Sequence, residues 1–273
     1  MHVNENLKTL RKFLPIHHYF RTVGVLSMQL AYHAGGLSLL FVDTIKSMTQ
    51  TPIKWKLTVN QMQKIGVTSL PLVFLTALFT GMVLALQSAY QLKLFAAQQF
   101  ISDLVALSIC RELGPVLTAM VVAGRVGASI AAELGTMKVT EQIDALKALA
   151  VDPVRYLVVP RFIAAFFMLF MLAIYSDIVG MMGGYLIAVF KLGISSHQYL
   201  KRSVDVMVVK DVMTGLLKAF FFGGIISTVG CYFGFRASGG AEGVGRATTM
   251  AVVCALVLII ASDALFTAVF YFF

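Results

Sequence analysis

The sequence predicts an all-α integral membrane protein with five membrane-spanning helices, preceded by N-terminal elbow and interfacial helices. A short polar helix is predicted between the second and third spans. The first reason is composition, because the 273-residue chain is 59% hydrophobic and only 13% charged, whereas soluble domains carry about 25% charged residues. The second reason is run length, since a helix needs about 20 apolar residues to cross the hydrocarbon core. Runs without any charged residue cover 22–42, 65–92, 219–235 and 247–262.

The first uncharged run, residues 22–42, is predicted to be an elbow helix that enters the membrane face and returns. Basic residues flank it on both sides: Lys8, Arg11, Lys12 and Arg21 before it, and Lys46, Lys54, Lys56 and Lys64 after it. Because basic loops stay in the cytoplasm, equal loads predict that both flanks lie on the same side of the membrane. Trp55 and the lysines around it suit the membrane interface. We therefore assign residues 1–65 to an N-terminal tail with elbow and interfacial helices, and residues 66–273 to the membrane domain.

The five predicted spans lie at about 66–91, 104–131, 158–190, 216–236 and 246–272. Small residues recur every fourth position within them, as Ala77, Gly81, Ala85 and Ala89, as Ala119, Ala123, Gly127 and Ala131, and as the pairs Gly180/Gly184 and Gly230/Gly234. Such stripes let helix backbones approach closely in lipid, where no hydrophobic force joins helices. Packing within the chain is the simpler interpretation, and a homodimer seam on one stripe is the alternative.

Charged residues inside the second span predict a functional site. Arg111 and Glu112 lie roughly two turns into this span, directly before Gly114-Pro115. An ionisable residue at membrane depth costs several kcal/mol unless it is paired or hydrated, and the Gly-Pro step removes a backbone hydrogen bond and can bend the helix. The alternative is a structural ion pair with another span.

Three further acids and a lysine lie in the other spans or next to them. Asp211 and Lys218, seven residues apart at the head of the fourth span, share one helical face, and we expect them at the depth of Arg111 and Glu112. Asp177 in the third span and Asp263 in the fifth are isolated in sequence. For these two acids we expect hydrogen bonds from one helix to another.

The loop between the second and third spans is predicted to form a helix that docks on another protein. Thr140 is the expected N-cap, and Pro153 is expected to end the helix. The acids Glu141 and Asp144 lie near the positive end of the helix dipole. Apolar residues recur on one face, namely Ile143, Leu146 and Leu149. A fully solvated helix needs no such face, whereas a helix that enters a partner's groove does; the alternative is a helix that lies flat on lipid headgroups.

The sequence contains no pattern typical of an enzyme. The P-loop pattern G-x-x-x-x-G-K-[ST] is missing, so no ATP site of that kind is expected, and the five histidines have no metal-ligand spacing. The net charge of +9 comes from basic residues in short loops between apolar runs, which predicts contact with lipid headgroups and not with nucleic acid. We therefore expect a transport protein without cofactors of its own.

Three segments resemble the MlaE (YrbE) family of ABC transporter permeases. They are ELGPVLTAMVVAGRVGASIAAELGTMKVTEQIDALKALAVDPVRYLVVPR at 112–161, GMVLALQ at 81–87 and GVGRATTMAVV at 243–253. The similarity extends over about residues 60–270, and the central block is long and specific. The N-terminal elbow helix and the five spans are also expected from this resemblance.

The resemblance implies a multi-pass permease of the bacterial inner membrane that works as a homodimer. A separate ATPase subunit would bind ATP, a periplasmic MCE-domain protein would stand beside the permease, and a small STAS-type accessory protein is a possible further partner. The implied substrates are phospholipids, moved between the inner and outer membranes to maintain lipid asymmetry. One alternative is a permease of the same type for sterols or another hydrophobic compound. An ion or proton channel is a less favoured alternative, because a channel has no need of an apolar-faced loop helix.

The resemblance also implies two sets of site residues. The residues implied to contact lipid are Tyr90, Arg111, Glu112, Asp211 and Lys218. The residues implied to couple the chain to the ATPase are Glu133, Glu141, Gln142, Asp144 and Arg155. The loop helix, within the Glu133–Pro153 region, is the implied coupling helix.

Overall fold

A computed structural model describes residues 3–50 and 54–272 of the chain. The described residues form eleven α-helices: α1 (Val3–Gln50), α2 (Trp55–Ile65), α3 (Leu70–Lys93), α4 (Ile101–Ser108), α5 (Gly114–Val122), α6 (Ala128–Val139), α7 (Gln142–Ala148), α8 (Val159–Phe190), α9 (Ser196–Val206), α10 (Val209–Phe235) and α11 (Gly240–Phe272). The described part of the chain has no β-strand, which confirms the prediction of an all-α fold.

Three π-helical turns join or precede these helices. The turns Ile109–Leu113 and Ala123–Gly127 connect α4, α5 and α6 into one long rod, and Val154–Val158 leads into α8. Each of the first two turns contains an arginine, Arg111 or Arg125. Because a π-turn widens the helix locally and changes the direction of its side chains, such turns are frequent at functional sites.

The described chain contains six helical segments that are long and apolar enough to cross a membrane. They are Val23–Thr49, Trp55–Lys93, Gln98–Val139, Val154–Phe190, Val209–Phe235 and Gly240–Phe270. The last five match the five predicted spans, of which only the fourth and fifth extend beyond them, by one and two residues, and this confirms a multi-pass helical membrane protein. Val23–Thr49 qualifies by length and composition alone, and α1 continues through Gly35 and Gly36 without interruption. The elbow arrangement of residues 22–42 and the domain boundary at residue 65 therefore stay predictions.

The chain divides into two compact units, Met1–Asp43 and Thr44–Phe273. The second unit holds α2 to α11, and α8 lies at its centre, packed against α2, α3, α5 and α10. Chain direction places α7 at one end of this bundle and α9 at the opposite end, since α8 begins after α7 and finishes before α9. We call these ends the α7 end and the α9 end.

Glycines set the spacing between the central helices. A Cβ added at Gly81 of α3 would overlap the carbonyl oxygen of Gly180 in α8, and one added at Gly183 would overlap the carbonyl oxygen of Leu78. On the other side of the bundle, Gly230 of α10 packs directly on the backbone of Gly127. Helix backbones therefore touch at these points, as small residues permit in membrane proteins.

All four predicted stripes of small residues are buried by packing between helices of the same chain. Each of their members is buried within the single chain: Ala77, Gly81, Ala85, Ala89, Ala119, Ala123, Gly127, Ala131, Gly180, Gly184, Gly230 and Gly234. This confirms the interpretation of packing within the chain. The alternative of a homodimer seam is wrong for these stripes, because no part of them is left for a second copy to cover.

The α7 helix forms where it was predicted, but both of its predicted end signals are wrong. The N-cap is Glu141, in a left-handed conformation with φ 59°, whereas Thr140 donates its hydroxyl to the carbonyl of Thr136 in α6. The helix ends at Ala148, before Pro153, because Ala150 adopts φ 56° and closes a Schellman motif. In this motif the amide of Val151 donates to Leu146 O and the amide of Ala150 donates to Lys147 O.

Candidate functional site

A polar cavity opens at the α9 end of the bundle. Its volume is about 280 Å³, and it lies between the π-turn Ile109–Leu113, the beginning of α10 and the end of α11. The lining residues are Arg111, Glu112, Lys210, Asp211, Thr214, Lys218, Thr267 and Phe270. Seven of these eight residues are polar, which is unusual for a wall at membrane depth and predicts function.

Lys218 is the centre of this site, and its side chain is only 2% exposed. Its Nζ lies 2.8 Å from Glu112 Oε2 and donates to Thr267 Oγ1 at 2.7 Å. A second carboxylate, that of Asp263 in α11, lies 2.9 Å away as an ion pair. The hydroxyl of Thr267 in turn donates to Glu112 Oε1 at 2.9 Å. The buried ammonium is therefore neutralised by two acids from two helices, and this network connects α10 to α11 and to the second span.

The Gly-Pro step explains why Lys218 also approaches the backbone. Pro115 has no amide hydrogen, so the carbonyl of Arg111 lacks the donor that an α-helix would supply four residues later. Lys218 Nζ lies 3.4 Å from this carbonyl oxygen. The lysine thus supports the widened turn that holds Arg111 and Glu112.

Arg111 faces the open part of the cavity. One of its guanidinium nitrogens forms an ion pair with Asp211 Oδ1 at 2.8 Å, yet the arginine side chain is 53% exposed. A guanidinium has five N–H donors in a planar fork, so donors remain for an anion in the cavity. The pairing with Asp211 orients this fork and reduces the local excess of positive charge.

The structure brings together four of the five residues implied to contact lipid. Arg111, Glu112, Asp211 and Lys218 all line the cavity, which confirms the expectation that they meet at one depth. Tyr90 does not line it: it lies near the end of α3 and is 75% exposed. Whether any of the five contacts lipid stays a prediction.

Sequence reasoning missed two members of this network, Asp263 and Thr267. Asp263 does contact another helix, as predicted, but through an ion pair with Lys218. The spacing contains part of the signal, because Asp263, Thr267 and Phe270 share one face of α11 at positions i, i+4 and i+7, but it does not show which helix this face meets. For the second isolated acid the prediction is wrong: Oδ1 of the buried Asp177 has no hydrogen-bond partner in the described chain, and it packs against Gly114.

The α7 end holds the residues implied to couple the chain to an ATPase. Glu141, Gln142, Asp144 and Arg155 are exposed there. The apolar face predicted for α7 is divided: Ile143 is 3% exposed and anchors the helix to the bundle, whereas Leu149 is 74% exposed. The surface of α7 that faces outward is therefore mixed, with Leu149 beside charged residues.

Glu133 lies in α6, in the last two turns before α7. Its two carboxylate oxygens form ion pairs with Lys64 of α2 at 3.1 Å and with Arg161 of α8 at 2.9 Å. Glu133 is therefore already engaged with two other helices of the chain.

Asp144 connects α7 to the end of α6, and this contact predicts a pH dependence. The ammonium of Lys138, 2.7 Å away, holds the pKa of Asp144 below its usual value through a hydrogen-bonded ion pair. Because the pKa is lowered in the folded state, the stabilisation is fully present above the ordinary carboxyl pKa of about 4. It is lost as the pH falls through the lower pKa of the folded state. We expect an NMR titration of the Asp144 carboxyl carbon to show this lowered midpoint. The variant Lys138→Met should return the midpoint toward the ordinary value, and an unchanged midpoint would contradict the assignment.

The architecture and the cavity define a class of protein: a multi-pass helical membrane protein with a charged cavity at one end and an exposed loop helix at the other. This is the layout of a transport permease. A family model described as "Permease MlaE" matches residues 58–269, so the chain belongs to the MlaE permease family. This result confirms the resemblance found in the sequence.

Relatives support the same family. A protein of Rickettsia felis named "Probable ABC transporter permease protein" is 47% identical over 250 residues, 92% of this chain and 96% of that protein. The "Intermembrane phospholipid transport system permease protein MlaE" of Haemophilus influenzae is 38% identical over 218 residues, 79% of this chain and 83% of that protein. "Protein TRIGALACTOSYLDIACYLGLYCEROL 1, chloroplastic" of Arabidopsis thaliana is 38% identical over 238 residues, 86% of this chain and 68% of that protein. The chain is thus the permease component of an ABC transporter and not itself an enzyme, and this class implies an ATPase partner.

Proposed function

We propose that this permease moves phospholipids between the inner and outer membranes of a bacterium, driven by a separate ATPase subunit. The observation on which the proposal rests is the polar cavity with its cationic residues Arg111, Lys210 and Lys218. A lipid phosphate matches this chemistry, because a guanidinium binds it with two parallel hydrogen bonds. The name of the relative from Haemophilus influenzae, a phospholipid transport permease, supports the same substrate class.

The size of the cavity indicates which part of the lipid would enter it. A volume of about 280 Å³ is below the range of about 300–1,000 Å³ in which drug-sized ligands bind. The cavity therefore has room for a headgroup, while the acyl chains extend along apolar walls outside it. Arg111 would bind the phosphate, and Lys218, already neutralised by Glu112 and Asp263, would hold the turn that positions Arg111.

The proposed assembly contains two copies of the chain, with the acyl chains between them. We further propose the partners implied by the family: an ABC ATPase at the α7 end, a periplasmic MCE-domain protein at the α9 end and a STAS-type accessory protein. The location is the bacterial inner membrane. ATP-driven closure of the two ATPase subunits would push on α7 and shift the permease toward a state with a narrower cavity. Glu141, Gln142, Asp144 and Arg155 are the proposed contacts.

Lipid content of the purified protein tests this proposal. We expect Arg111→Ala to lower the amount of co-purifying phospholipid by about tenfold, because a hydrogen bond to a charged group contributes about 1.5–3 kcal/mol. Mass spectrometry of extracted lipids measures the effect. The matched control is Arg202→Ala, since Arg202 lies in α9 at the same end but pairs with Asp103 outside the cavity. Equal phospholipid in Arg111→Ala and wild type would contradict the headgroup site, and co-purification of a sterol in place of phospholipid would favour the alternative substrate.

A further inference from the structure

A cluster of ion pairs at the α7 end joins three helices through one carboxylate. Glu133 of α6 directs Oε1 to Lys64 of α2 and Oε2 to Arg161 of α8, at 3.1 and 2.9 Å. The Arg161 side chain is buried, and its other terminal nitrogen donates to Leu157 O at 2.8 Å. Because each carboxylate oxygen pairs with a cation from a different helix, Glu133 holds α2 and α8 at the same level of the bundle.

A second cluster joins α2 to the same rod. Arg125, in the π-turn Ala123–Gly127, donates to Lys64 O at 2.8 Å and to the hydroxyls of Thr68 and Ser69 at 2.6 and 2.9 Å. The last carbonyls of a helix have no donor within the helix, and Arg125 supplies one to the end of α2. Lys64 belongs to both clusters, with its carbonyl bound by Arg125 and its ammonium paired with Glu133.

These two clusters lie partly on the helices that carry α7. Only Thr140 and Glu141 separate α7 from α6, and the ion pair between Lys138 and Asp144 joins the two helices. The chain then returns into α8, so α6, α7 and the beginning of α8 form a hairpin with α7 at its tip. The contact between Glu133 and Arg161, 28 residues apart, closes the base of this hairpin.

We propose that Lys64, Arg125, Glu133 and Arg161 form a clamp that makes α2, α6 and α8 move as one body when α7 is displaced. The displacement would then reach α3, which follows α2 directly, as well as the second and third spans. In this role Glu133 is a positioning residue that transmits force, and not a surface contact of the ATPase. The inference rests on the proposed function, because it requires a motor that acts on α7.

The alternative is that the clamp only stabilises the folded chain. The two roles predict different effects of a conservative substitution. Loss of a purely structural contact lowers the stability of the protein, whereas loss of a transmitting contact uncouples ATP hydrolysis from transport. Glu133→Gln is suitable because it keeps the shape of the side chain and removes the charge that both cations require.

The experiment uses the complete complex with its ATPase subunit in proteoliposomes. We expect Glu133→Gln to retain the ATPase subunit and ATP hydrolysis, while the phospholipid transferred per ATP falls on the order of tenfold, the size typical of a coupling between sites. Glu242→Gln is the matched control, since Glu242 is an exposed acid at the beginning of α11 whose ion pair lies within its own helix. It should match wild type. Loss of the ATPase subunit from Glu133→Gln would overturn the proposal, because Glu133 would then be a direct contact, and so would unchanged transfer per ATP.

A distance measurement tests the clamp without any transport assay. Spin labels at the exposed positions Asn60→Cys of α2 and Thr136→Cys of α6, in a Cys254→Ala background, report whether the two helices move together. In complexes that carry the labels in one of the two copies, we expect one narrow distance distribution, unchanged by ATP, when the rest of the sequence is wild type and a broader one with Glu133→Gln. A distance that changes with ATP while Glu133 is present would overturn the clamp. If the wild-type complex hydrolyses ATP but moves no phospholipid, the proposed function fails, while the distances still decide the clamp.

Discussion

Replacing Lys218 with methionine is expected to destabilise the protein by about 3–5 kcal/mol, the cost of removing one partner from a buried ion pair. Methionine fills a similar volume but leaves the carboxylates of Glu112 and Asp263 facing each other without a cation. It also removes the donor near Arg111 O and so loosens the π-turn. Denaturation of the purified protein in mixed micelles measures the loss of unfolding free energy. Bound phospholipid should fall in parallel, because Arg111 loses its position.

A triple variant separates the charge effect from packing. Lys218→Met combined with Glu112→Gln and Asp263→Asn has no unpaired charge, and neutral replacements of a buried ion network are often close to neutral in stability. We therefore expect this variant to recover most of the lost stability but not the bound phospholipid. A Lys218→Met protein as stable as wild type would show that the network does not hold α10 against α11.

The second large effect is expected from Gly81→Ala, which should destabilise the protein by about 3 kcal/mol, the upper end for an overpacked core. The added methyl group would overlap the carbonyl oxygen of Gly180, a backbone atom that cannot rotate away. Helices α3 and α8 must separate to accept it, and the neighbouring contact of Gly183 with Leu78 is then lost as well. The same micelle denaturation measures the change.

Gly245→Ala provides the control for this prediction. Gly245 also lies within a helix, α11, but a Cβ at this position meets no atom within 4 Å. Since alanine favours helix over glycine by about 1 kcal/mol, this variant should be as stable as wild type or slightly more stable. Equal effects of the two substitutions would mean that the close approach of α3 and α8 contributes nothing to stability.

The contrast between Asp211 and Asp263 shows how far the sequence could predict the candidate site. Asp211 lies seven residues before Lys218 on one helix, so helical periodicity places the two on the same face. Asp263 pairs with the same lysine from another helix, and no local pattern states which two helices are neighbours. Its partner could be recognised only once α10 and α11 were placed side by side.

The α7 helix also shows what could and could not be predicted from the sequence, here within one short element. Its polar composition between two apolar runs predicted a loop helix at this place, and the structure has one. The direction of Ile143 into the bundle was not predictable, because an apolar face matches a partner protein and the chain's own core equally well. The end of the helix depends on the left-handed conformation of Ala150, which alanine seldom adopts and no composition rule indicates.

By itself the sequence determined the membrane class, the places of the five predicted spans and the residues of the central motif. The physical reason is that a helix in lipid satisfies its backbone within itself, so a local run of apolar residues is sufficient to specify a span. Only the tertiary structure decided which faces meet. Lys218 and Glu112 are 106 residues apart and Lys64 and Glu133 are 69 apart, and these pairs exist because the packing of the helices brings distant parts of the chain together. Both the polar cavity and the clamp are therefore products of helix packing.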